Sequence, residues 1–198
     1  MKKWNLVIDI AKCFNCNCCT LACHDEYFDN EYPGYASGMP KHGQNWIRIA
    51  QRETGTVPMV EVSYLPTTCN HCDNAPCLAA ARDGAVVKRD DGIVIIVPEK
   101  ARGQRQIVDA CPYGAVHWNE ERQLPQAWPF DAHLLDKGWK RTRGAQACPT
   151  RAMRVLHVED DEMKRIVAEE GLEVLHPEYG TAPRIYYRNL KRFRSLFI

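Results

Sequence analysis

A chain of 198 residues that is 45% hydrophobic has room for one or two small domains with a real core, which excludes wholesale disorder. Its 26 Lys and Arg against 25 Asp and Glu leave a formal charge of +1, so there is no electrostatic case for nucleic acid or an anionic membrane as partner. The N-terminal apolar run is broken at Asp9, too early for a secretory signal, and no stretch approaches the roughly 18 apolar residues of a membrane span. A cytoplasmic chain is therefore expected, exported only if attached to a partner that carries a signal. In a reducing compartment its ten cysteines point to metal or cofactor ligation rather than disulfides.

Residues 4 to 10 read as a short strand leading into Cys13-Phe-Asn-Cys-Asn-Cys-Cys-Thr-Leu-Ala-Cys23. Residues 27 to 43, rich in Tyr, Gly and Pro, read as an irregular loop. Trp46 to Gln51 and Val57 to Tyr64, separated by Glu53-Thr-Gly-Thr56, read as a hairpin. A second cysteine run, Cys69, Cys72 and Cys77, follows. Ala85 to Lys88 and Ile93 to Val97 flank Asp90-Asp-Gly92 as a second hairpin. Asp109-Ala-Cys-Pro-Tyr-Gly-Ala115 then resembles Gln146-Ala-Cys-Pro-Thr-Arg-Ala152, each a helix end, a Cys-Pro and a turn entering a strand (Val116 to Trp118, Met153 to Val158). That near-repeat hints at a duplicated module. Glu159-Asp-Asp-Glu162 opens a helix that Gly171 stops. The tail from Leu172 to Ile198 is apolar enough to pack on the domain or on a partner, and Lys191, Arg192 and Arg194 read as a solvated face.

The spacing Cys13-x2-Cys16-x2-Cys19-x3-Cys23 is the bacterial iron-sulfur run, whose fourth cysteine serves the other cluster of a pair. Cys69-x2-Cys72-x4-Cys77 is a second triplet, with alanine at 81 where its fourth cysteine would stand. Counting back from Cys111-Pro112 at the same spacing reaches Ala101, Gln104 and Ile107. If the two runs exchange fourth ligands, Cys69, Cys72, Cys77 and Cys111 form one complete set and the reciprocal set is missing all four members. The same logic assigns Cys13, Cys16, Cys19 and Cys148 to a second [4Fe-4S] cluster. Cys18 and Cys23 remain as small buried side chains. Two alternatives stay open: Cys23 replacing Cys148 or Cys18 replacing Cys19, and a pair of four-cysteine zinc sites, which lack a brown absorption that dithionite bleaches. There is no phosphate loop, GxSxG elbow, HExxH helix or EF-hand loop. No substrate-transforming site is expected, and His24 and His71, beside cluster cysteines, read as surface or supporting residues.

This plan resembles the iron-sulfur subunits of molybdopterin enzymes of the dimethyl sulfoxide reductase family, and within it the small subunits of pyrogallol-phloroglucinol transhydroxylase and resorcinol-type hydroxylases. Beyond the cysteines, Asn30-Glu-Tyr-Pro-Gly-Tyr35, Ala132-His-Leu-Leu-Asp136, Glu169-Glu-Gly-Leu-Glu-Val174 and Pro183-Arg-Ile-Tyr-Tyr187 carry the resemblance over nearly the whole chain. It implies a large catalytic partner holding a bis-pterin molybdenum cofactor and acting on polyhydroxylated aromatics. It also implies that Trp128, Asp131 and Gly144 stand where a further triplet would pair with Cys23, Trp128 filling the vacated volume. The transhydroxylase small subunit looks like a three-cluster protein with an added C-terminal domain, from which this chain departs.

The expected protein is α+β, with two pseudo-symmetric ferredoxin-like modules in a double iron-sulfur domain spanning 1–158. The first module is about 1–28 plus 116–158, the second about 64–115, with a hairpin insertion at 29–63 and a helix and tail at 159–198. Its expected role is electron transfer for a heterodimeric molybdenum enzyme. The alternatives are an assembly subunit with structural clusters and a free-standing ferredoxin.

Overall fold

The computed structural model describes residues 1–194, so the last four residues of the expected tail, and the side chain of Arg194, lie outside the described residues. In chain order the elements are β1 (Lys3–Asp9), α1 (Cys18–Tyr27), β2 (Arg48–Thr56), β3 (Met59–Thr67), α2 (Pro76–Ala80), β4 (Val86–Lys88), β5 (Val94–Ile96), α3 (Pro98–Ala101), α4 (Gln106–Asp109), β6 (His117–Asn119), β7 (Leu124–Gln126), α5 (Ala132–Leu135), α6 (Arg143–Ala147), β8 (Met153–Val158), α7 (Asp160–Glu170), β9 (Ile185–Arg188) and α8 (Lys191–Arg194). Among the described residues no helix is long and apolar enough to cross a membrane.

Strand β1 is apolar on both faces because both are covered. Leu6 and Ile8 enter the main core with Ile185 and Tyr187, while Val7 meets Met163 and Leu172 on the opposite side. It is the middle strand of a three-stranded sheet, antiparallel to β8 (Ile8 opposite Met153) and parallel to β9 (Leu6 opposite Ile185). Between those two strands runs α7, its first turn acidic with Asp160, Asp161 and Glu162 at the positive end of the helix dipole. Gly171 ends it in the left-handed conformation at φ +59°, as a glycine stop does. The tail thus folds onto the body through β9.

Three further hairpins complete the chain. β2 and β3 pair from Arg48 opposite Thr67 to Thr56 opposite Met59, so the turn is at Val57 and Pro58 rather than at Glu53 to Thr56. Pro58 has no amide hydrogen to give a ladder, whereas Glu53 to Thr56 do. β4 and β5 pair as the Asp-Gly turn predicts, with Val86 opposite Ile96. Gly92 there has φ +88°, and a Cβ on it would lie 2.8 Å from Arg184 Cδ, so both conformation and space demand glycine. β6 and β7 form a short pair that sequence alone did not suggest, because β7 contains Pro125. The Tyr-rich loop packs on α5: the Tyr32 ring stacks on His133 at 3.8 Å, and Tyr35 Oη donates to Asp136 at 2.7 Å.

Candidate metal centres

The first cysteine run leaves β1 through a 3-10 turn at Ile10–Lys12, where Cys13 N donates to Ile10 O at 3.2 Å. Asn15 and Asn17 then take left-handed φ values of +62° and +58°, which asparagine tolerates better than most residues. The chain next enters α1 with Cys19 in its first turn. Thr142 caps α6, its Oγ1 accepting from Ala145 N at 3.3 Å, and Cys148 follows the helix's last residue. Gly144 lets α6 lie close on α1: a Cβ there would be 3.3 Å from Cys19 Cβ and 3.2 Å from Ile47 Cδ1. As a result Cys13, Cys16, Cys19 and Cys148 line one small cavity, walled by the apolar side chains of Phe14, Ile49, Pro66 and Met153.

Cys18 and Cys23 do not line that cavity. Cys23 is buried one helical turn beyond Cys19, its thiol pushed well above its ordinary range by burial and then by Asp131. Cys18 is partly exposed rather than buried, because it occupies the solvent side of the helix start, where it hydrogen-bonds Cys16.

The second set is built alike. His71, two residues after Cys69, is left-handed at φ +46°, as Asn15 is two residues after Cys13. Pro76 opens α2, which sets Cys77 in its first turn. α4 packs on α2 and ends just before Cys111. Cys69, Cys72, Cys77 and Cys111 lie within electrostatic reach of one another, and burial followed by the neighbouring thiolates pushes Cys77 up to about 11.

The near-repeat in sequence is a repeat in geometry. Ala115 N donates to Cys111 Sγ at 3.4 Å and Ala152 N to Cys148 Sγ at 3.3 Å, four residues on in each case. The residue before each of these alanines is left-handed, Gly114 at +57° and Arg151 at +55°, which turns the amide back onto the sulfur. Burial acts to raise the Cys148 thiol, but the Thr150 hydroxyl and the amides of Met153, Ala152 and Thr150 outweigh it and leave the pKa below its ordinary value.

The donor set fits iron-sulfur clusters. Mutually repelling buried thiols ionise together only around a strongly positive centre. Thr68 Oγ1 and His71 Nε2, on either side of Cys69, are buried with no protein partner, as polar atoms facing a sulfide-bearing group would be. Among the described residues no group of three or more His, Cys, Asp or Glu is close enough to share a single metal ion. The thiols suit a group that presents several irons, each to its own thiolate.

Several supporting residues were not legible in sequence. Lys88 Nζ donates to the carbonyls of His71 at 2.9 Å, Cys72 at 3.0 Å and Gly92 at 2.8 Å, and pairs with Asp73 at 2.8 Å. Residues of the tail run along the second cysteine loop: Asp73 N donates to Ala182 O, Arg184 N to Asn70 O, and Thr181 hydrogen-bonds Cys72. The only sequence signal was Pro183-Arg-Ile-Tyr-Tyr187, which marked resemblance without assigning a role. His71 is fully buried rather than superficial: burial and then Lys88 push it down to about 3, and its Nδ1 accepts from Val94 N at 3.1 Å. It is neutral and carries no extra proton at physiological pH. His24 is half-buried, stacked on Phe28 at 5.4 Å.

Trp128 is 1% exposed, stacked on Phe130, and its Nε1 donates to Asp131 Oδ1 at 2.8 Å. Asp131 also accepts from Tyr27 Oη at 2.8 Å and Arg143 N at 2.6 Å. Asp131 and Tyr27 of this hydrogen-bonded group lie within electrostatic reach of the Cys23 thiol.

A family model described as a 4Fe-4S dicluster domain matches residues 60–158. The chain is 46% identical, over 201 aligned residues, to the small subunit of the pyrogallol hydroxytransferase of Pelobacter acidigallici, covering all of this chain and 73% of that one. It is 36% identical over 152 residues to the beta subunit of the dimethylsulfide dehydrogenase of Rhodovulum sulfidophilum, covering 75% of this chain and 46% of the relative. It is 32% identical over 193 residues to a subunit of the tetrathionate reductase of Salmonella typhimurium, covering 95% and 73%. Four interlocked cysteine segments and full-length similarity agree, and the chain belongs to the 4Fe-4S dicluster family of dimethyl sulfoxide reductase-type iron-sulfur subunits.

Proposed function

We propose that this chain is the electron-transfer subunit of a molybdopterin hydroxylase or transhydroxylase for polyhydroxylated aromatics. In this reading Cys13, Cys16, Cys19 and Cys148 hold one [4Fe-4S] cluster, and Cys69, Cys72, Cys77 and Cys111 hold a second. The observation that carries it is the cavity where three cysteines of one loop meet a fourth from a distant Cys-Pro turn. Each cluster, when bound, supplies a one-electron store whose potential depends on its surroundings. The chain's own residues set those surroundings. The Ala115 and Ala152 amides donate to ligand sulfurs, the apolar walls exclude water, and Lys88 places a positive charge beside Cys72.

The paired φ values and amide-to-sulfur bonds support two pseudo-symmetric modules, 1–28 with 116–158 and 64–115. The aromatic substrate class, and a large partner holding the molybdenum bis-pterin cofactor, are proposed from the relative named pyrogallol hydroxytransferase small subunit. The cytoplasm is the proposed compartment, consistent with ten free cysteines.

The test is co-expression with the neighbouring large-subunit gene and anaerobic purification, followed by iron and acid-labile sulfide assays and EPR during turnover with a polyphenol. About eight irons and eight sulfides, with clusters reduced within the turnover time, are expected. About four or twelve irons overturn the ligand assignment; clusters that never change redox state favour a structural role instead.

A further inference from the structure

Outside the two cysteine centres the described residues carry a concentrated basic feature. Lys12, Lys140, Arg141, Arg151 and Arg154 surround a groove of about 460 Å³. All five are exposed. Arg154 is neutralised by Glu170, with Nη2 2.7 Å from both carboxylate oxygens. Among the described residues Lys12, Lys140, Arg141 and Arg151 have no acidic partner, whereas Lys3, Lys88, Arg89 and Arg184 elsewhere are paired. In a chain of net charge +1 this is a local surplus and not a property of the whole surface.

Two independent observations tie the groove to the first cysteine centre. Met153, 6% exposed, lines both the groove and the four-cysteine cavity, so its side chain is common to the two. Arg151 holds a left-handed backbone at φ +55°, where the matching turn of the second centre has Gly114 at +57°. The fold accepts at Arg151 a conformation that a side chain disfavours, and so presents a cation where glycine would be relaxed. Such outliers concentrate at functional positions.

We propose that this groove docks an acidic one-electron carrier protein, which exchanges electrons across Met153 with the cluster held by Cys13, Cys16, Cys19 and Cys148. Exposed, unpaired Lys and Arg suit a small, polar, transient contact that is steered by charge, which is how electron-transfer partners meet. A permanent subunit interface is more hydrophobic than this groove, five of whose eight lining side chains are charged. With the cluster bound, one electron would leave the reduced carrier and enter the oxidised cluster, with no bond formed or broken and no proton required. The inference rests on the cluster assignment above.

The experiment uses the complete complex with its large subunit, its iron and sulfide counted first, and an acidic [2Fe-2S] ferredoxin as probe. Binding is measured by calorimetry at low ionic strength and at about 0.3 M salt, and contacts are mapped by carbodiimide cross-linking. Expected are a weakening of about tenfold or more with salt, cross-links at Lys12 and Lys140, and a comparable weakening in K12E/K140E/R141E. Arg151→Gly, which relaxes the turn while removing the charge, should weaken binding to a lesser degree. Iron content and reduction by dithionite should stay at the parent level in the triple variant. Binding insensitive to salt and to these substitutions overturns the proposal. So does loss of the large subunit from the triple variant, because the groove would then be the subunit interface. A wild-type complex without iron sinks the cluster assignment instead, a result the binding arm reads separately.

Discussion

Arg184 grips Asp73 through both carboxylate oxygens, Nε to Oδ1 at 2.7 Å and Nη2 to Oδ2 at 2.5 Å, across 111 residues of chain. The same guanidinium reaches Asn5 Oδ1 on β1 at 3.2 Å and Asp160 Oδ1 at the start of α7 at 3.1 Å. One side chain therefore joins the loop of the second cysteine centre to the sheet. Arg184→Lys keeps the charge but has no fork to span these acceptors. Because Asp73 is about a third exposed, a loss of about 2 kcal/mol is expected rather than the larger cost of a fully buried pair. Denaturant midpoints of the two proteins measure it; a difference below about 0.5 kcal/mol would show that the clamp is redundant.

The cysteines divide into ligands and bystanders. Cys148→Ala and Cys111→Ala should each cost about half the iron, or leave one labile cluster, because each removes a thiolate from a different set. Cys23→Ala and Cys18→Ala should keep the full count, since neither thiol faces the cavity. Iron assays and EPR on the four variants decide, and a Cys23→Ala protein short of iron would reopen the assignment of Cys148.

Asp131 accepts three donors, and only the Tyr27 hydroxyl is free to rotate away. Asp131→Asn presents an amide N–H to one of them, most directly the Arg143 amide at Oδ2. An unpaired buried donor costs about 1–3 kcal/mol. A loss of about 2 kcal/mol in unfolding free energy is expected, together with altered tryptophan fluorescence from Trp128. An unchanged midpoint would mean that the interior beside Cys23 is wetter than the contacts imply.

Acid should weaken the contact between the Tyr-rich loop and α5. Burial acts to raise Glu26, but His133 Nε2 at 2.9 Å, Tyr32 Oη at 2.7 Å and Arg143 outweigh it, leaving Glu26 below its ordinary value. A carboxylate whose folded pKa is lowered binds fewer protons folded than unfolded. Its stabilisation is complete above the unfolded value of about 4.3 and is lost as pH falls through the lower, folded value. The stability difference between wild type and Glu26→Gln should therefore hold steady down to about pH 5 and shrink on acidification from there to about pH 3. Urea titrations at several pH values test this, and a difference independent of pH would sink it.

The cysteine inventory, both Cys-Pro turns, the Asp-Gly hairpin and the helix from Asp160 to Gly171 were legible because each is set by neighbours in sequence: a proline that ends a helix, a glycine that permits positive φ, an acidic first turn. The β2–β3 turn falls at Val57 and Pro58 rather than at Glu53 to Thr56 because pairing of the β-prone residues on both sides of Pro58 outweighs a local Thr-Gly signal. The parallel pairing of β9 with β1, the burial of His71, and the clamps made by Lys88 and Arg184 had no local signature. Sequence alone determined which side chains are available to hold metal and how each triplet is spaced. Only tertiary packing, above all the close approach of α6 to α1 that Gly144 permits, decided that Cys148 shares a cavity with Cys13, Cys16 and Cys19 and that Cys23 does not. The reason is physical: spacing sets the reach of a loop, but which distant thiol faces it depends on how the helices between them pack.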